Sequence, residues 1–167
     1  MMQTYPSPTP APRSMFFTVR LRDEGADLLV RHVEILRLAV RLCQFRYPFA
    51  IDDAVILPNR LHMIWSLPPD DQDYTKRWKA IKATFAQHLP PDATHGGPQG
   101  SIWQRRFWEQ PIETREALRE CREMIRMAPV QAGLVDDPSI WPYSRDARLT
   151  AQFRRPSGAP VLRLVKD

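Results

Sequence analysis

Apolar and polar positions along the chain follow two periods, and the period changes wherever proline or glycine intervenes. Phe16-Phe17-Thr18-Val19-Arg20-Leu21 is rich in aromatic and β-branched residues and stops at Asp23-Glu24-Gly25, which predicts a strand. Leu29, Val33, Leu36, Val40 and Cys43 then recur at spacings of 4, 3, 4 and 3, with Arg31, Glu34, Arg37 and Arg41 on other faces, the pattern of an amphipathic helix. Residues 49–57 predict a second strand stopped by Pro58-Asn59, and residues 60–67 a third stopped by Pro68-Pro69. The link between them is so short that an antiparallel hairpin is the natural connection. A second helix opens at Asp70 to Tyr74 and turns Trp78, Ile81 and Phe85 inward. Residues 90–101 predict a mobile loop, 101–111 a short aromatic and basic strand, and 114–127 a third helix. That helix has Leu118, Cys121, Ile125 and Ala128 inward, Thr114 or Glu113 near its cap, and Pro129 as its end.

The order strand, helix, two strands, helix, strand, helix predicts an α+β fold: a ferredoxin-like sandwich in which helices pack on an antiparallel sheet. Proline supports this division, because 17 of 167 residues is about twice the usual share of roughly 5% and most fall between periodic segments. Pro6, Pro8, Pro10 and Pro12 stand at alternate positions, which blocks both helix and sheet ladder and predicts an extended, disordered tail over residues 1–14. The folded domain is expected over residues 15–145, followed by a polar, basic tail at 146–167.

Composition narrows the classes. An apolar content of 43% is sufficient for one real core, and no run approaches the roughly 18 to 20 apolar residues of a membrane span. The N-terminal stretch has no apolar centre between a basic start and a small-residue cleavage site, so no secretory signal is expected. Two cysteines, Cys43 and Cys121, argue against a disulfide framework or a cysteine zinc cluster and point to a reducing cytoplasm. A formal charge of +5 is compatible with a polyanionic partner without identifying one.

The charge is not spread evenly. Lys76, Arg77, Lys79 and Lys82 lie within seven residues of one predicted helix, and Trp103-Gln104-Arg105-Arg106-Phe107-Trp108 interleaves two arginines with three aromatics. Guanidinium forks bind phosphates and aromatic faces stack on unpaired bases, a combination suited to hairpin or single-stranded nucleic acid. A solvated helix face above an aromatic core is the plainer account of the same residues. Of four histidines, His32 and His95 have no companion at metal-ligand spacing, and His88 near the end of the second helix is accounted for by the helix dipole. His62 lies in the third strand, where residues two apart share a face, so it projects together with Arg60. On its own it reads as a hydrogen-bonded strand histidine.

Five blocks in order carry a resemblance: Pro58-Asn59 through His62 and Trp65 to Leu67-Pro68; Tyr74, Arg77, Trp78, Ile81, Lys82 and Phe85; Ile102 through Glu109; Pro129-Val130 with Gly133-Leu134-Val135; and Trp141-Pro142-Tyr143-Ser144. Over about residues 15–145 the chain resembles the REP-associated tyrosine transposases, within the HUH-type single-tyrosine transposases, which bind hairpin DNA and cut and rejoin single strands. The resemblance implies a site with two histidines, one residue apart, holding magnesium or manganese. A helix tyrosine would attack the phosphorus, and an Asn or Gln four residues later, on the same helix face, would complete the metal shell.

Carried over, the first histidine falls on Arg60 and the second on His62, the tyrosine on Met124 and the amide ligand on Ala128. Methionine offers no nucleophilic oxygen, alanine cannot coordinate, and an arginine repels a divalent ion. The resemblance therefore implies a DNA-binding protein without catalysis or a metal cofactor, acting as a monomer or homodimer on hairpin or single-stranded DNA. Its expected DNA contacts are Lys76, Arg77, Lys79, Lys82, Trp103, Arg105 and Arg106. Two alternatives stay open: an active enzyme with a relocated nucleophile at Tyr143, Tyr74 or Tyr47, and a protein-interaction remnant without a DNA role.

Overall fold

The computed structural model describes residues 13–94 and 101–146. The proline-rich residues 1–12, loop residues 95–100 with His95, and the tail from residue 147 lie outside the described residues. Arg13 and Ser14, expected in the tail, already belong to the first strand.

Among the described residues, nine strands and α-helices follow in chain order. β1 is Arg13–Arg20, α1 Leu28–Arg31, α2 Val33–Arg46, β2 Ala50–Ile56 and β3 Arg60–Leu67. They are followed by α3 Tyr74–His88, β4 Trp108–Pro111, α4 Arg115–Gln131 and β5 Ser144–Asp146. The sheet runs β4-β1-β3-β2-β5 with every neighbour antiparallel. Its first four strands stand in the ferredoxin-like order, and β5 extends it beyond β2.

Side-chain alternation in β3 divides the core. Trp65 stacks on Trp78 of α3 with ring centroids 4.4 Å apart, and Phe17 of β1 meets both rings at 4.8 and 5.5 Å. These contacts set the face of Phe17, Met63 and Trp65 against α2 and α3, which pack on each other. α4 packs instead over β2 and β3, with Cys121, Ile125 and Ala128 buried. We place it on the opposite face, the one that carries His62.

Three local expectations change. The first helix is interrupted at His32, whose N–H closes α1 on the Leu28 carbonyl and whose carbonyl accepts from Ile35 and Leu36. Its apolar stripe continues across the break, because periodicity reports which side is buried and not whether the hydrogen-bond ladder is continuous. Pro129 does not end α4 but lies inside it. Its missing N–H falls in the last turn, and the helix closes at Gly133, whose φ of 75° and N–H to the Val130 carbonyl form a left-handed cap. The predicted strand over 101–111 is confined to β4, preceded by a single bridge between Leu21 and Trp103. Among the described residues, no helix is long and apolar enough to cross a membrane.

Candidate functional site

The site begins with the register of β1 on β3. Thr18 stands opposite His62 and Arg20 opposite Arg60. The Thr18 hydroxyl lies 2.7 Å from His62 Nδ1, and the Phe16 ring stacks parallel to the imidazole at 5.9 Å. Phe16, Thr18 and Arg20 therefore share one face with Arg60 and His62. β4 adds to the same face, because Trp108 pairs with Thr18 across the sheet; its side chain is 61% exposed.

The electrostatics follow from burial. His62 is 7% exposed, and its pKa falls to about 4, first because burial penalises the imidazolium and then because Arg60 and Arg20 repel it. It is a neutral ring near pH 7, and Thr18 occupies one of its two nitrogens. Arg60 is held below its ordinary value by burial and by Arg20, with Glu24 acting weakly in the other direction.

The donor set does not fit a divalent metal. Guanidinium nitrogens offer no lone pair to a cation, so Arg60 beside His62 adds a like charge and not a ligand. Among the described residues, no three His, Cys, Asp or Glu side chains converge as a metal would require. Ala128 lies on the buried stripe of α4, whereas Met124, one turn earlier, is 46% exposed. Arg60 and His62 are thus adjacent on β3, while the contacts of His62 named above come from β1 and β3.

The three tyrosines lie elsewhere. Tyr74 packs by Phe17 and Phe107 on the α3 side of the sheet and hydrogen-bonds Glu109. Tyr47 lies under the Lys76 ammonium, 4.5 Å from its ring centroid. Tyr143 is buried beside Trp141.

The expected DNA contacts separate into interior and surface groups. Arg77 is fully buried, a correction to its expected surface role: its five N–H donors reach the carbonyls of Tyr47, Pro48 and Asp73 and both oxygens of Asp71. Trp103 is likewise interior at 2% exposed, its indole N–H bonded to the Lys82 carbonyl at 3.1 Å and its ring against Phe85, so no base can stack on it. Lys76 is tied to Asp71 at 2.9 Å. Lys82 is half-buried, with Nζ on the Gln104 carbonyl and 5.2 Å from the Phe107 ring. Lys79, Arg105 and Arg106 are exposed.

Arg20 and Thr18 were not singled out from the sequence, and Trp108 entered only as one aromatic of the 103–108 block and not as an expected contact. Alternation in the first strand puts Thr18 and Arg20 on one face, but only the register brings that face to His62.

Fold and site together define an α+β protein with a cationic sheet face flanked by an exposed tryptophan. No protein-family model matches the chain. It is 38% identical over 129 residues to the REP-associated tyrosine transposase of Escherichia coli K12, covering 77% of this chain and 73% of that protein. A putative REP-associated tyrosine transposase of Haemophilus influenzae is 30% identical over 161 residues, covering 91% and 92%. A solved REP-associated tyrosine transposase bound to a REP hairpin superimposes with a TM-score of 0.74 at 35% identity, over 90% of this chain and 87% of that one. The chain belongs to the REP-associated tyrosine transposase family.

Proposed function

We propose that this chain binds hairpin DNA with single-stranded flanks and does not cut it. The observation that carries DNA binding is the likeness to the transposase solved with a REP hairpin. Lys79, Arg105 and Arg106 are exposed cations available to the phosphate backbone, with Lys82 a half-buried fourth. The loss of catalysis rests on three residues. At the positions that the family resemblance assigns to metal and nucleophile, Arg60 and Ala128 cannot ligate and Met124 cannot attack phosphorus. His62 is the remaining ligand type, and a single imidazole does not make a metal centre.

The test is a binding titration with a hairpin carrying single-stranded flanks, against random duplex of equal length, from about 50 to 200 mM salt. Tighter binding to the hairpin, falling as salt rises, is the expected result; equal affinity for both would overturn the assignment. The same hairpin incubated with Mg²⁺ or Mn²⁺ should yield no covalent protein–DNA adduct. An adduct abolished by one Tyr→Phe change would instead establish a relocated nucleophile.

A further inference from the structure

Arg20 and Arg60 stand directly opposite each other on adjacent antiparallel strands. Like charges in that position repel, and strand pairs ordinarily avoid them. Among the described residues, neither arginine makes an ion pair, in contrast to Arg31, Arg37, Arg77 and Arg126. Glu24 acts on Arg60 at longer range. Burial cannot account for the pair either, because Arg20 is exposed and Arg60 only half-buried. Its immediate neighbours on the same face, Thr18 and His62, are hydrogen-bonded to each other and carry no negative charge near pH 7. The sheet therefore presents two adjacent guanidinium groups whose repulsion an anion would relieve.

We infer that Arg20 and Arg60 form a two-arginine clamp for one backbone phosphodiester of the bound nucleic acid. A phosphodiester suits the pair because each planar fork can donate two parallel N–H bonds to phosphate oxygens. The exposed Trp108, opposite Thr18 in the sheet, shares the face of the clamp, one strand over from Arg20 and two residues along, and offers a ring on which a neighbouring base can stack. The clamp rests on the DNA-binding reading above and adds to it the place on this chain where a single phosphate is gripped.

The experiment measures hairpin affinity against salt for the full chain and for Arg20→Gln, Arg60→Gln and the double variant, with Arg31→Gln as a control already paired to Asp27. Each clamp substitution should lower affinity on the order of tenfold and reduce the salt slope by about 1, while the control leaves both unchanged. A single neutral methylphosphonate step in the hairpin should reproduce the loss in the unmodified chain and cost the double variant nothing further. Thermal unfolding should show the Gln variants at least as stable as the starting protein.

If the double variant binds the hairpin with unchanged affinity and slope, the clamp is wrong and the DNA-binding reading stands. If the unmodified chain shows no hairpin preference, both fail. A fall in melting temperature in both single variants would make the pair structural and also overturn the clamp.

Discussion

Replacing Arg77 by methionine separates a structural cation from a DNA contact. In the folded chain this guanidinium is fully enclosed and ties the end of α2, through the Tyr47 and Pro48 carbonyls, to the start of α3, through Asp71 and the Asp73 carbonyl. Methionine matches most of the stem and supplies no donor. Three backbone carbonyls on half-buried or exposed residues then lose a partner, each costing about 0.5–1 kcal/mol, while Asp71 keeps its bond to Lys76. Breaking a fully buried ion pair typically costs about 3–5 kcal/mol, but Asp71 is 32% exposed and stays hydrated, so the loss here is about 2–3 kcal/mol. For a folded region of this size that corresponds to a drop in melting temperature of about 6–12 °C.

Thermal and denaturant unfolding of Arg77→Met would check the magnitude, with Arg77→Lys falling between because one ammonium cannot bridge both helix ends. At a temperature where the variant is folded, its hairpin affinity and salt slope should match those of the unmodified chain. Unchanged stability together with a tenfold loss of hairpin binding would refute the reasoning and return Arg77 to the interface.

Three further outcomes follow from the geometry. His62 binds its proton less tightly folded (about 4) than unfolded (6.5), so stability is full above pH 6.5 and falls as the pH drops towards 4. The difference amounts to about 3 kcal/mol, read as the extra acid sensitivity of the protein over His62→Asn in denaturant melts at pH 7 and 4; equal pH profiles would contradict it. Trp108→Ala should weaken hairpin binding on the order of tenfold, as expected for one lost base stack, while leaving melting temperature and salt slope unchanged because the ring is 61% exposed and uncharged. Gly133→Ala meets no atom within 4 Å of the added Cβ but keeps a φ of +75°, so it should cost about 1 kcal/mol of backbone strain alone, measured as a small fall in the denaturant midpoint; no change would mean that the turn adopts another cap.

Much of the architecture was legible along the chain. Trp78, Ile81 and Phe85 are buried at the spacings that predicted them, β3 occupies residues 60–67, and its hairpin with β2 follows from a connection too short for anything else. These features depend on neighbours a few residues apart, and local periodicity records them. The membership of Arg60 and His62 in one face was legible for the same reason.

The fate of each cation was not. Lys79 and Arg77 lie two residues apart on α3, yet one is exposed and the other enclosed, because the oxygens that satisfy Arg77 include the carbonyls of residues 47 and 48, brought in only when α2 packs on α3. Trp103 and Trp108 divide the same way: the bridge to Leu21 draws one into the core, while the edge position of β4 leaves the other open. The sequence by itself determined which segments become helix and strand and which residue types are available for chemistry. Only the tertiary structure decided which charges remain unpaired and which face each other, as Arg20 and Arg60 do, because pairing across a sheet is set by register between strands about 40 residues apart.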